Sequence, residues 1–229
     1  MDEPQGERVG VGVGAPPVAS RGRRPSTTRQ DVARVALDLF NRQGYDETTV
    51  DQIAAAVGVS RRTFFRYYES KRDVVWGEFD AELVRLRDQL EGAPSDRPMM
   101  DVLAQAVMAT NRFGASELDE LRIRIGLIST VPTLVAHSAV RYAEWCQVVA
   151  GFVSRRSGLR PDDLAPQTVA RAALGAAMAA FSCWAAGTDG SDGTDGTDGT
   201  DGTDDDLPAV VDRAFRLLAS GFDEESLRP

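Results

Sequence analysis

The chain contains only two cysteines, one histidine and one lysine among its 229 residues. Cys146 and Cys183 lack the spacing of a metal site, and two cysteines cannot form a disulfide framework. Because His137 is the sole histidine, neither a clustered metal site nor a histidine-based catalytic triad can be assembled. Phosphate-binding loops and glycine-rich dinucleotide fingerprints are missing too. We therefore expect a protein that is not an enzyme and needs no metal or cofactor.

Long hydrophobic runs are also scarce. The longest small and apolar run, residues 172–186, is shorter than the roughly 20 residues needed to cross a bilayer. The N-terminus has no basic segment followed by an apolar stretch, as a secretion signal would. These features predict a soluble, cytoplasmic protein with no membrane partner, in which the cysteines stay reduced.

Two segments have compositions that cannot bury a core. Residues 187–206 repeat Gly-Thr-Asp and hold eight aspartates, so glycine entropy and charge repulsion predict a disordered linker. Calcium binding is the alternative, but the repeat lacks the distal Glu of an EF-hand loop and the apolar position of a calcium-binding β-roll. Residues 1–20, rich in glycine and proline, are predicted to be a disordered tail.

Positive charge is concentrated near the N-terminus, although the formal net charge of the whole chain is -9. Residues 20–72 contain eleven Lys and Arg against six Asp and Glu. A basic region of this kind is typical of a nucleic-acid contact, and the alternative is an ordinary solvated face. The helical pattern inside the region decides between them.

That pattern is a pair of short helices across a tight turn. Thr49 and Gln52 form a capping-box pattern, Gly58 can adopt the positive φ that ends a helix, and Ser60 is a good N-cap for the next helix. In the second helix Phe64 lies four residues before Tyr68, which defines a face for packing. The arrangement predicts a helix-turn-helix, whose second helix enters the major groove of DNA.

The remaining periodicity is helical throughout, so we predict an all-α fold. A first helix begins after 26–28 and stops at Gly44, and a linking helix, capped by Ser70 with Asp73, runs from Lys71 to about Leu90. The pattern Leu-Arg-Ile-Arg-Ile at 121–125 alternates like a strand, but no partner strand is evident and we predict helix. Further helices are predicted at 98–113, 116–130, 132–157, 163–186 and 206–221. The predicted domains are a helix-turn-helix unit at 21–75 and a helical effector-binding and dimerisation domain at 76–229.

Chemistry suggests roles for several basic residues. Arg61, Arg62 and Thr63 occupy the first turn after the Ser60 cap, where an arginine can bind guanine O6 and N7. The remaining candidates share a position suited to contacting the DNA backbone. They are Arg66 on the same side, Lys71 at the start of the next helix, and Arg23 and Arg24 in a basic arm before the first helix.

The sequence resembles the N-terminal domain of the TetR family of bacterial transcriptional regulators. The residues that carry the resemblance are Gly44-Tyr45, Thr48-Thr49-Val50, Ile53-Ala54, Gly58-Val59-Ser60, Thr63-Phe64-Phe65, Tyr67-Tyr68 and Ser70-Lys71. Residues 76–80, 142–158 and 166–170 are similar to the branch that regulates mycofactocin systems. The resemblance adds Thr49, Phe65 and Tyr67 to the candidate DNA contacts. It places an apolar Phe65 where the family often has a tyrosine, and Tyr67 at a phosphate-contacting position.

The resemblance also implies partners. It predicts a homodimer formed by helices 163–186 and 206–221, a double-stranded palindromic operator, a repressor role, and release by a hydrophobic or acyl-CoA effector. Candidate effector-lining residues are Phe113, Ile123, Leu127, Tyr142, Trp145, Val149 and Phe181. These residues are plain core in the alternative, a constitutive dimeric DNA-binding protein whose C-terminal domain serves only assembly. An internal cavity distinguishes the two.

Overall fold

The computed structural model describes residues 27–110, 115–187 and 207–221. Within these ranges the chain forms ten helices and no strand, which confirms the all-α prediction. The helices are α1 Arg29–Gln43, α2 Val50–Val57, α3 Arg61–Tyr67, α4 Lys71–Trp76, α5 Phe79–Glu91, α6 Met99–Thr110, α7 Ala115–Thr130, α8 Pro132–Ser157, α9 Leu164–Ala186 and α10 Leu207–Ser220. The alternating pattern at 121–125 lies inside α7. The N-terminal tail, the basic arm and most of the Gly-Thr-Asp segment lie outside the described residues.

The first three helices begin at the residues that their capping patterns predicted. The Thr28 and Thr49 side chains each accept a hydrogen bond from the backbone three residues later, in complete capping boxes. Ser60 accepts from the backbone N–H of Thr63 at 3.1 Å. Gly58 ends α2 with φ 77° and ψ 30°, the left-handed conformation expected of it. Local sequence therefore accounts for the turn between α2 and α3.

The predicted continuous helix from Lys71 to Leu90 is wrong, because the chain breaks at Gly77. Gly77 ends α4 with φ 59° and ψ -120°, and α5 starts at Phe79. The positive φ of Gly77 favours glycine, and a Cβ there would also lie 2.9 Å from Nη1 of Arg124. The predicted Ser70 capping box is also wrong, since the Ser70 hydroxyl donates to the Asp73 carboxylate and caps no backbone N–H.

Two hydrophobic cores share the corner between α7 and α8. The N-terminal core is built on α1 to α4 and includes Phe40, Ile53 and Phe64. Leu134, in the first turn of α8, is fully buried in that core, and Ile128 of α7 packs against it. The larger core joins α5, α6, α8, α9 and α10. The chain bends by 101° between α7 and α8, and at this corner the C-terminal half packs against the N-terminal core.

Helix α9 is long and apolar, and much of its surface is uncovered. Its 23 residues satisfy the length and composition of a membrane span, although only 28% of the most apolar window is buried within the chain. One side packs on α8 and α10 through alanines at 170, 173, 177 and 180. The opposite side exposes small and apolar residues at helical spacing: Leu164, Thr168, Gly175, Met178 and Ala179.

Candidate DNA-binding surface and effector cavity

Helix α3 presents a basic and aromatic surface to solvent. Its buried side carries Phe64 and, just beyond the helix, Tyr68, both predicted as core. Arg62 and Arg66 are exposed, and Phe65 is 43% exposed beside them. Thr63 is partly buried, with its hydroxyl 2.8 Å from that of Ser60. The exposed residues stand where base edges and phosphates are contacted by a recognition helix.

Arg61 is already paired within the helix-turn-helix. Its Nη1 lies 2.7 Å from Oδ2 of Asp51 on α2, and its guanidinium lies 5.4 Å from the Phe65 ring centroid. Both partners of the ion pair are well exposed, so the pair is weak and screened by salt. Asp51 was not singled out from the sequence. Among the described residues, Arg62 is the arginine in this turn without such an ion pair.

The Lys71 ammonium group is hydrogen-bonded inside the protein, and its predicted phosphate contact stays a prediction. Nζ of Lys71 donates to the carbonyl oxygens of Tyr45 at 2.6 Å and Thr48 at 3.1 Å, with Asp46 at 3.4 Å. It also lies 4.2 Å from the Tyr45 ring centroid. Burial raises the pKa of Tyr45 to about 12, which keeps that ring neutral. Lys71 therefore fixes the loop between α1 and α2, and a phosphate would have to displace carbonyls to reach it.

Two other predicted backbone contacts also have partners inside the protein. The Tyr67 hydroxyl donates to the carbonyl of Thr27 at 2.6 Å and accepts from Arg66 at 3.2 Å. The Thr49 hydroxyl donates to the Gln52 side chain and caps α2, although Thr49 itself is exposed. DNA contact by Thr49 and Tyr67 stays a prediction. Arg23 and Arg24 lie outside the described residues.

An apolar cavity of about 160 Å³ lies between α5, α6, α7, α8 and α9. Three predicted effector contacts, Tyr142, Trp145 and Phe181, line it. Val149 does not, since it is fully buried in the C-terminal core. Phe113 lies outside the described residues. The cavity supports an internal binding site, as the effector hypothesis requires.

Ile123 and Leu127 were assigned to the wrong side of α7. They pack against the N-terminal core, while Ile125, Ile128 and Ser129 line the cavity. Apolar residues on two sides of a helix indicate that both sides are buried. This pattern in α7 could have shown from the sequence that the helix packs against two different regions. Sequence reasoning also missed wall residues from three helices, α5, α6 and α9: Phe79, Glu82, Leu83, Leu86, Val107, Thr110, Leu174, Ala177, Met178 and Ser182.

Arg124 joins α7 to the end of α4. Its Nη1 donates to the carbonyls of Val74 at 2.6 Å and Val75 at 2.7 Å, and its Nη2 lies 3.8 Å from the Glu120 carboxylate. Burial lowers the pKa of Arg124, and the Glu120 charge opposes that shift. The side chain thereby ties the helix that lines the cavity to the helix that follows the helix-turn-helix.

Comparison with known proteins decides the family. The profile of bacterial regulatory proteins of the tetR family matches residues 33–75, and that of the MftR C-terminal domain matches residues 97–223. The chain belongs to the TetR family, in its MftR branch. It is 43% identical, over 69% of its length and 80% of the relative, to a protein named as mycofactocin biosynthesis transcriptional regulator MftR of Mycobacterium tuberculosis. It is therefore a transcriptional regulator and no enzyme.

More distant relatives agree with this placement in the TetR family. TcmR, an HTH-type transcriptional regulator of Streptomyces glaucescens, is 33% identical over 62% of the chain and 66% of the relative. FadR of Thermus thermophilus, a TetR repressor solved with lauroyl-CoA, superposes with a TM-score of 0.50 at 24% identity over 88% of this chain and 99% of that one. FadR of Bacillus subtilis, solved with stearoyl-CoA, superposes with a TM-score of 0.53 at 16% identity, over 85% of this chain and 99% of that one. At these identities the structures establish the fold alone.

Proposed function

We propose that the protein is a ligand-responsive repressor that binds a palindromic operator as a homodimer and is released by a hydrophobic or acyl-CoA effector. One observation carries this proposal. Ile128 of α7 lines the apolar cavity and also packs against the core of the DNA-binding domain. An occupant that moves Ile128 acts on both halves at once, as coupling between two sites requires.

At the DNA end, Arg62 and Thr63 read base edges while Arg66 and Phe65 contact the backbone. The exposure of Arg62, Phe65 and Arg66 on one side of α3, with the partly buried Thr63 beside them, supports the assignment. A bidentate arginine–guanine contact contributes about 1–3 kcal/mol of discrimination. Arg61 joins the base contacts when DNA displaces Asp51, because the exposed pair costs little to break.

The proposed dimer forms through the exposed side of α9 together with α10. Small residues around Gly175 allow two helices to approach closely, since a Cβ placed there would meet nothing within 4 Å in the chain. Leu164 is 83% exposed and Met178 is 41% exposed, which a second copy would cover. Burial against that copy also explains an apolar α9 in a cytoplasmic regulator.

The cavity size suggests how an effector acts. A volume of about 160 Å³ is close to that of an engineered cavity in another protein that holds benzene. A longer acyl tail must displace wall residues, among them Ile128 and the partly exposed Met178. The acyl-CoA complexes of the two FadR proteins make such a tail a reasonable probe. Release of DNA follows when the wall movement changes the spacing of the two recognition helices.

The test couples the two sites. An operator selected from random duplexes is bound by the full chain, and lauroyl-CoA affinity is measured with and without saturating operator. We expect operator to weaken lauroyl-CoA binding, and lauroyl-CoA to weaken operator binding by the same factor. Equal lauroyl-CoA affinity in both states would favour the constitutive DNA-binding protein instead.

A matched pair of variants localises the effect. Ser129 lines the cavity, whereas Thr130 does not, and both hydroxyls donate to the carbonyl four residues earlier. Ser129→Phe should fill the cavity and abolish the response to lauroyl-CoA, and Thr130→Phe should leave it intact. Loss of the response in both variants, or in neither, would place the effector elsewhere.

A further inference from the structure

Glu82 is the acidic residue in an otherwise mostly apolar cavity wall. It lies on α5, one residue before Leu83 and four before Leu86, which also line the cavity. It borders a second cavity of about 410 Å³ as well, whose wall has more charged residues, and Phe79 and Ile128 are the other residues that both cavities share. Glu82 therefore lies at the neck between a mostly apolar cavity and one with charged residues in its wall.

In the part of the chain that the structure describes, the Glu82 carboxylate has no hydrogen-bond or ion-pair partner. Among the described residues it accepts no hydrogen bond and forms no ion pair within 4 Å, although Arg85 and Arg124 act on its charge from further away. Burial dominates and raises its pKa. An unpaired, partly buried carboxylate lowers the stability of the folded protein. The apolar residues around it in the first cavity form no bond that would explain its presence. Its place at the neck of a cavity indicates a role towards a ligand.

We infer that Glu82 is a specificity-determining residue, which accepts a hydrogen bond from an amide or ammonium N–H of a ligand whose apolar tail fills the cavity. The inference rests on the proposed function and specifies the head group that the effector site takes. A ligand ending in a carboxylate is selected against, because two carboxylates at the neck repel each other. An acyl thioester that continues into an amide-bearing arm satisfies the same rule.

The second cavity is suited to the rest of such a head group. Its wall carries cations and anions together, namely Arg29, Arg124, Glu78, Glu117 and Glu120. Arg29 lies 3.6 Å from Glu78, and Arg124 lies 3.8 Å from Glu120. These charged side chains offer donors and acceptors to a polar extension, while the first cavity, whose other wall residues are uncharged, suits a tail.

The experiment uses three probes with the same eight-carbon chain: octanamide, octylamine and octanoate. Their binding to the full-length protein is measured by calorimetry. We expect octanamide and octylamine to bind at least about tenfold more tightly than octanoate, the size of one hydrogen bond to a charged group. Glu82→Gln retains an acceptor without the charge. It should keep octanamide binding within about threefold, weaken octylamine about tenfold, and strengthen octanoate.

The control is Glu91→Gln, the same charge change at an exposed position on the same helix. It should leave all three affinities unchanged. Glu82→Ala removes the acceptor and should weaken octanamide as well, which checks the result if Glu82→Gln folds poorly. If the three probes bind the wild type equally, or if Glu82→Gln leaves their ratios unchanged, Glu82 does not set specificity, while the cavity remains a binding site. If no probe binds, both the inference and the proposed cavity fail.

Discussion

The two halves of the molecule are stabilised in different ways. Helices α1, α2 and α3 have 15, 8 and 7 residues, and each begins with a side-chain cap. Helices α8 and α9 have 26 and 23 residues and no side-chain cap at their starts. Short helices are marginal on their own, so caps contribute a large share of what holds them, whereas long helices depend on packing. The DNA-binding half is therefore specified locally and the effector half by contacts between distant segments.

Arg124 is where these two kinds of stabilisation meet. It reaches from α7 to the carbonyl end of α4, fifty residues earlier in the chain, and its Nη1 lies 2.9 Å from where a Cβ at Gly77 would be. This short helix is held by the burial of Val74 and Val75 in the N-terminal core and also by one side chain of the effector half. We propose that movement of α7 reaches the DNA-binding half through that contact.

The largest effect on stability is expected from removing a large side chain from the N-terminal core. Phe64→Ala removes a fully buried ring from the N-terminal core and should lower the free energy of unfolding by about 3–5 kcal/mol. Phe65→Ala, its exposed neighbour, should change stability by less than about 0.5 kcal/mol yet weaken operator binding. Chemical denaturation and DNA titration of both variants measure the contrast. Equal destabilisation would show that α3 is not packed as described.

The second largest effect is expected from weakening the contact between Arg124 and the end of α4. Arg124→Lys keeps the charge, but it lacks the planar guanidinium that points Nη1 at the Val74 and Val75 carbonyls while Nη2 faces Glu120, and it should cost about 2 kcal/mol. It should also reduce the factor by which lauroyl-CoA weakens operator binding. Arg85→Lys, on the exposed side of α5, is the control for both measurements. An unchanged coupling factor in Arg124→Lys would exclude this contact from transmission.

Lys71→Met separates two roles of the only lysine. Loss of its bonds to the carbonyls of Tyr45 and Thr48 should lower the free energy of unfolding by about 1.5 kcal/mol. The slope of operator affinity against salt concentration should stay the same, because the ammonium faces carbonyls. Arg62→Ala should instead flatten sequence preference. A slope reduced by about 0.9 in Lys71→Met would restore the phosphate contact predicted from sequence.

The Glu82 carboxyl group predicts a smaller, pH-dependent effect. Because burial raises its pKa above the usual 4.5, the folded protein holds this proton to higher pH than the unfolded chain does. Its favourable contribution is complete below the unfolded pKa and is lost as pH rises through the folded one. Glu82→Gln should therefore gain stability relative to wild type as pH is raised from 4 to 8. Thermal unfolding across that range measures the difference, and a constant offset between the two proteins would contradict the assignment.

The smallest effect is expected from shortening the Gly-Thr-Asp segment. Its composition gives it nothing to bury, so deletion of residues 189–203 should leave dimerisation and operator affinity nearly unchanged. Sedimentation and DNA titration test this directly, with and without added calcium. A clear loss of either property would assign the repeat a structural or regulatory role.

The sequence by itself determined the helix starts at Thr28, Thr49 and Ser60, the turn at Gly58, and the family. Those features depend on interactions between residues three or four positions apart, which a single chain displays. Tertiary structure decided the break at Gly77, because a continuous apolar period runs through it and the pattern shows neither the positive φ of Gly77 nor the Arg124 guanidinium beside it. It also decided which side of α7 faces the cavity, and it turned Lys71 towards carbonyls. Each of these depends on a partner more than twenty residues away, whose position no local pattern encodes.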